Sequence, residues 1–299
     1  AESPLDGPVP ASHSLSLASS AYVDVHAWVM VTPRLVAKIE SETPALRLAV
    51  LIDADNAQST VIEGLLAEIA RFGEASVKRI YGDFTSPASA SWKKVLQRFA
   101  IKPVQQFAYT SGKNATDSAL IIDAMDLLYT QRFDGFCLVT SDSDFTGLAL
   151  RLREAGLTVL GFGEQKTPEA FRNACHRFFL TELLRPPPEV PRGQAAASES
   201  APAAEDGAQI NQPPVPPRKV EFPRKFVMEA LAQSSDETGW AHLGTFGSYL
   251  TKLQPDFDPR MFGHRKMSDL VKARADLFIV EEREIPGSTQ KVLYVRARK

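Results

Sequence analysis

The sequence predicts an α/β protein: a parallel sheet with helices on both faces, followed by a small C-terminal winged-helix module. Three observations carry this. From Arg47 onward, short β-rich apolar runs alternate with longer helical stretches, the rhythm of βαβ units. Between about Arg185 and Pro217 the composition collapses to Pro, Ala, Ser, Glu and Gln, which cannot bury a core and marks a linker. Beyond it, three helix-length segments precede a hairpin pattern.

In chain order, residues 1–44 are rich in Ser, Ala and Pro without a sustained period and read as a flexible segment, with local order near Ala27 to Leu35. Residues 45–184 form the first domain. Its strands are expected at Leu48–Ile52, Val77–Tyr81, Lys102–Phe107, Phe136–Thr140 and Thr158–Phe162. Helices are expected near Thr60–Phe72, Ser89–Phe99, Asp117–Tyr129 and Phe145–Ala155, with a short segment through Phe171. Gly156 stands where a helix C-terminus favours glycine. Residues 185–219 are the linker. In the second domain, 220–299, helices are expected at Arg224–Gln233, Leu243–Leu253 and Lys266–Ala273, and a hairpin from Phe278–Glu282 and Val292–Arg296 around Pro286-Gly287.

Charge is unevenly placed. Arg218 to Lys299 holds 15 basic and 11 acidic residues, a net of +4, against 19 and 25 in the remainder. A basic end beside an acidic body suits a binding module attached to a metal-binding one. Two cysteines, Cys137 and Cys175, exclude a disulfide framework and a cysteine-based zinc site, and their apolar surroundings make them reduced core residues. No apolar run is long enough to span a membrane. The best candidate, Ala21 to Val31, is broken by Asp24 and His26. The expected location is the cytoplasm.

In an open α/β sheet ligands bind at the carboxyl ends of the strands, and the residues expected there are acidic. Asp53 and Asp55 follow the first strand, Asp142 and Asp144 follow the fourth, and Asp117 begins the third helix. Carboxylates forced together repel unless a cation neutralises them, and hard oxygen ligands suit Mg²⁺ or Mn²⁺. Such an ion can activate water against a phosphodiester. Lys113 would add positive charge toward the phosphate. Asn56, Thr116 and Ser141 suit capping or loop hydrogen bonds as well as a direct role in the site. Asp123, about 240° round the helix from Asp117, is a supporting or structural residue.

These residues resemble the NYN branch of the PIN-like nucleases, close to the LabA-like group. The match rests on Asp53-Ala54-Asp55-Asn56, on Lys113-x-x-x-Asp117 leading a helix through Asp123, and on Ser141-Asp142-Ser143-Asp144-Phe145. It covers roughly Arg47 to Thr181. The resemblance implies a Rossmann-like fold and a metal-dependent ribonuclease. Asp53, Asp117, Asp142 and Asp144 match the family's acidic positions, with Asn56 beside them. Where the family commonly has Gly before the fourth-strand aspartate, this chain has Ser141. The family also often pairs, so a homodimer through this domain is a further expectation.

The C-terminal block is similar to the LOTUS (OST-HTH) domain over about Phe222 to Arg298. The likeness is carried by Phe262-Gly263-His264-Arg265-Lys266-Met267-Ser268-Asp269-Leu270, by Phe278-Ile279-Val280-Glu281 and by Gly239-Trp240-Ala241-His242-Leu243. It implies RNA binding, or protein binding in some relatives. The residues themselves offer His264, Arg265, Lys266 and Lys272 for phosphate contacts at a helix start, with Lys225, Arg296 and Arg298 widening the basic face. Trp240 reads as a core anchor, and Phe226, Leu231, Leu243, Leu250 and Leu270 as core. The expected function is a metal-dependent (endo)ribonuclease whose tethered module raises local substrate concentration. The alternatives are an inactive RNA-binding adaptor and a haloacid dehalogenase-type phosphatase using Asp53 as nucleophile. The phosphatase family expects Thr or Val where position 57 is Ala.

Overall fold

The computed structural model describes residues 45–85, 90–107, 115–185, 221–284 and 291–298. Its central sheet contains β1 (Leu46–Asp53), β2 (Gly73–Gly82), β3 (Lys102–Gln105), β4 (Gly135–Val139), β5 (Thr158–Gly163) and β6 (Arg177–Leu180). These run in the order β3-β2-β1-β4-β5-β6, with every pairing parallel. Parallel neighbours need crossovers, supplied here by α1 (Ile62–Ile69), α2 (Ala90–Phe99), α3 (Ala115–Tyr129), α4 (Thr146–Glu154) and α5 (Glu169–Ala174). The five expected strands are present. The sixth, Arg177-Phe178-Phe179-Leu180, is an addition, too short to show a period. Gly156 has φ +83° and closes α4 as expected.

Strand parity divides the core in two. Ala49 and Leu51 of β1 and Phe136 and Leu138 of β4 face Leu120, Ala124, Leu148 and Leu152 of α3 and α4. Leu48, Val50, Ile52, Cys137 and Val139 face Ile62, Leu65 and Trp92 of α1 and α2. Each large apolar side chain buried this way contributes about 1.5–3 kcal/mol. Both cysteines are buried as expected, and enclosure pushes the Cys175 thiol up to about 12, far from a reactive thiolate.

The C-terminal block holds α6 (Arg224–Ser234), β7 (Trp240–His242), α7 (Leu243–Leu253), α8 (Met267–Ala273), β8 (Phe278–Glu284) and β9 (Lys291–Ala297). The expected hairpin is widened by β7 into a three-stranded antiparallel sheet, in the order β7-β9-β8. Leu231, Leu250 and Leu270 join Val227, Phe246, Phe278 and Val295 in its core, with Phe226 and Leu243 packed at the margin. Trp240 does not. The core-anchor reading is corrected: Trp240 is only half-buried, because its neighbour Ala241 takes the inward position on this short strand.

This block packs directly onto the first domain, and Ala45–Lys299 form one compact unit. The Phe178 N–H on edge strand β6 donates to the Pro255 carbonyl at 2.9 Å, covering an edge that would otherwise invite foreign pairing. Arg172 of α5 meets Asp256 at 2.6 Å. Arg260 bridges Glu68 of α1 at 2.9 Å and Asp258 at 2.6 Å. Apart from Arg185, the expected linker falls on residues outside the described ones, as do residues 1–44 and the Pro286-Gly287 turn. Among the described residues no helix is long and apolar enough to cross a membrane.

Candidate active site

The strand order places the reversal of connection direction between β1 and β4, so their carboxyl ends open a crevice. Asp53 ends β1 on the same parity as Ala49 and Leu51, which turns its side chain toward α3, where Asp117 occupies the first turn. Just past β4, Asp142 caps a short 3-10 turn, Ser143–Phe145, by accepting from the Asp144 N–H at 2.9 Å. One carboxylate oxygen each from Asp117, Asp142 and Asp144 lie within 4.8 Å of one another. An ion with Mg–O bonds of about 2.1 Å holds opposite ligand oxygens about 4.2 Å apart. The three carboxylates are therefore near the spacing one such ion would draw together.

Asp53 stands beside this trio and is fully enclosed. Its Oδ1 accepts from the Asp55 N–H at 3.0 Å. Its Oδ2 accepts from Asn56 Nδ2 at 2.8 Å and from Thr140 Oγ1 at 2.9 Å. Three donors on a carboxylate with about four lone-pair sites leave about one for an ion.

Electrostatics register the crowding. The Asp117 carboxyl is pushed up to about 6, first by enclosure, then by the negative charges of Asp53, Asp142, Asp144 and Asp55. Asp53 is also raised, by burial that outweighs its hydrogen bonds. Among the described residues, no arginine or lysine forms an ion pair with Asp53, Asp117 or Asp142. Lys113, the cation expected here, lies outside the described residues.

Sequence reasoning passed over Thr140. Its buried hydroxyl donates to Asp53 and accepts from the Asp142 N–H at 3.1 Å, tying the acids after β1 and β4 together. A β-branched residue ending a buried strand gives no outward signal of such a role. Ser141 accepts from the Glu164 N–H at 2.9 Å and so fixes the end of β4 to the end of β5. It fits the loop without displacing Asp142. Gly163 is required alongside, since a Cβ there would come within 2.5 Å of the Thr140 carbonyl. Asp123 is a structural contact: it accepts from Arg79 and Tyr81 on β2, on the side of α3 that its angle from Asp117 dictates.

The residues expected to touch RNA lie elsewhere. His264, Arg265 and Lys266 fall between a 3-10 turn, Pro259–Phe262, and α8, with Arg265 and Lys266 exposed. Lys272 pairs with Glu282 at 3.2 Å. A cavity of about 420 Å³ opens at the opposite, amino-terminal edge of the large sheet; Leu127, Phe133, Phe136, Arg151 and Leu157 line it, and it holds none of the acids.

A family model described as the NYN domain matches residues 47–182, and one described as the OST-HTH/LOTUS domain matches residues 218–288. Among solved structures, an uncharacterized protein of Nitrosomonas europaea shares 55% identity, covering 36% of this chain and 93% of that one, with a TM-score of 0.25. A protein from Chromobacterium violaceum shares 31% identity over 28% of this chain and 88% of that one, at a TM-score of 0.22. A protein of unknown function from Vibrio parahaemolyticus shares 17% identity over 46% of this chain and 93% of that one, at 0.39. No curated protein matches.

Proposed function

Residues 47–182 are an NYN domain, of the PIN-like nuclease superfamily, and residues 218–288 an OST-HTH/LOTUS domain; from that pairing we propose that the chain is a divalent-metal-dependent ribonuclease. The observation that carries the reading is the convergence of Asp117, Asp142 and Asp144 in the β1–β4 crevice. These three would hold Mg²⁺ or Mn²⁺, and Asp53 beside them would serve as a further ligand. Bound there, the ion supplies an activated water and charge stabilisation for a phosphodiester. Asn56 and Thr140 orient Asp53, and Thr140 also fixes the Asp142 backbone. Lys113 is assigned to the scissile phosphate. His264, Arg265, Lys266 and Lys272 contribute phosphate contacts from the second domain.

The test incubates purified protein with labelled single-stranded and structured RNAs in Mg²⁺, Mn²⁺ or EDTA, beside Asp142→Asn. Losing a ligand to a group worth several kcal/mol should slow cleavage on the order of 10²–10³-fold while leaving RNA binding nearly intact. RNA that binds but is never cut, in either metal, would transfer the chain to the adaptor reading. Pairing of two copies through the NYN domain is read from the solution mass of the same preparation.

A further inference from the structure

We propose that the outward face of the C-terminal sheet is a stacking platform for the bases of single-stranded RNA, centred on Trp240 and Tyr294. The proposal rests on the reading of this chain as an RNA-directed protein and adds to it where, and in what form, the strand is held.

Register defines the surface. Trp240 pairs with Arg296 and His242 with Tyr294, while Glu281 pairs with Tyr294 from the other side. Side chains alternate across a strand. Ala241, Phe278 and Val295 take the inward positions and are buried. Trp240, His242, Tyr294, Arg283 and Arg296 therefore share the outward face, each half-buried or exposed. The core of the domain is filled from the other side, so packing of that core does not account for two aromatic rings here.

What borders the rings is mainly cationic, although Asp236, in the loop before β7 and accepting from the Trp240 N–H at 2.9 Å, also acts on Arg283. The Arg283 guanidinium lies 4.8 Å from the Trp240 ring centroid and 4.4 Å from that of Tyr294. Arg296 lies 4.8 Å from Trp240. His242 meets Tyr294 edge-on at 5.7 Å. Glu281 holds Arg283 at 3.1 Å, and it is the one acidic residue with its side chain on this face of the three paired strands. Guanidinium planes and aromatic rings both stack on bases, and the same arginines complement phosphates. Trp240 and Tyr294 sit diagonally on adjacent strands, roughly 7–8 Å apart by sheet geometry, which lets neighbouring bases of an extended strand seat on separate rings. A duplex buries its base faces and cannot use such a surface, whereas an unpaired strand can splay its bases onto it.

The test uses the full chain carrying Asp142→Asn to suppress cleavage, and fluorescence anisotropy with labelled single-stranded oligoribonucleotides and a duplex of equal length. Trp240→Leu and Tyr294→Leu should each weaken single-strand binding about tenfold and change duplex binding less than about twofold. Trp240→Phe, which keeps a ring, should recover most of the loss. Unchanged single-strand binding, or an equal loss on the duplex, overturns the platform. If the parent chain binds no RNA of either form, the ribonuclease reading falls with it. If it binds and the leucine variants match it, only the platform falls. Should the leucine variants unfold, ultraviolet crosslinking of the parent chain to 4-thiouridine RNA replaces them. Adducts mapped to β7 and β9 support the platform, and adducts confined to residues 264–272 overturn it.

Discussion

The molecule gathers carboxylates in two places and treats them differently. At the domain junction, Glu68, Asp256 and Asp258 are each less than a tenth exposed, and Arg172 and Arg260 neutralise them. At the carboxyl edge of the sheet, Asp53, Asp117 and Asp142 crowd together without an ion pair to any described residue. Burying charge is costly unless it is matched. The junction acids are matched within the chain and serve its architecture. At the edge, burial and the charges of Asp53 and Asp142 raise the proton affinity of Asp117, and no described cation pairs with these three acids to offset them. The same residue type thus separates structure from chemistry by its partners alone.

The comparison is broken most forcefully at the junction. Asp258→Asn keeps the shape but removes the charge that clasps Arg260 at 2.6 Å. Breaking an enclosed pair from one side costs about 3 kcal/mol, although Glu68 retains part of the hold. Urea unfolding should show that loss, and proteolysis should cut between the domains earlier. Unaltered stability with unaltered proteolysis would mean that the two domains are held by the Phe178–Pro255 bond and Met261 packing instead.

At the sheet edge a smaller change is expected to act on chemistry rather than on stability. Thr140→Val preserves volume but takes one donor from Asp53 and the acceptor from the Asp142 N–H. Outer-shell partners of metal ligands are worth about 10–100-fold in affinity or activity. Cleavage and Mn²⁺ affinity should fall together by that factor, and Thr140→Ser should restore most of both. A normal Mn²⁺ affinity in Thr140→Val would remove Thr140 from the positioning role.

The contrast between the two regions also explains what could be read from sequence. Asp53, Asp142 and Asp144 were legible because they stand at the end of, or a few residues beyond, apolar strands of ordinary length. Asp117 was legible because it opens a helix, and the 3.6-residue period separated it from Asp123. These are local signals. The junction is not local: Glu68 and Arg260 are 192 positions apart, and no periodicity announces that a post-helix arginine will meet an α1 glutamate. For the same reason the expected flexible tether gave no hint of a packed interface. β6 escaped because four residues, three of them apolar, carry no alternation. Trp240 escaped because its exposure depends on pairing with Arg296, more than fifty positions later. Parity within a three-residue strand is set by that partner, so a tryptophan between Gly239 and Ala241 read as core on its size alone.

The smallest effect, and the one that sharpens the comparison most directly, is the pH dependence of the protein stripped of divalent ions. The Asp117 carboxyl is raised from 3.8 to about 6 in the fold, so between those values the folded state binds more protons than the unfolded chain. Stability then rises as pH falls through that window, and the combined penalty of burying the charge and crowding it against its neighbours is fully present above about 6. The gain is modest because the group is only partly enclosed and water screens it. In EDTA, the thermal midpoint of the parent chain should gain more than that of Asp117→Asn on moving from neutral pH to about pH 5. Above the window, Asp117→Asn should be the more stable of the two, opposite in sign to Asp258→Asn at the junction. Adding Mn²⁺ at neutral pH should reverse that order, because an ion binds the deprotonated acids and stabilises only a chain that still has them. Equal pH slopes in the two proteins would show that the Asp117 carboxylate is penalised neither by its burial nor by its acidic neighbours, and would remove the electrostatic reason for an ion to bind there.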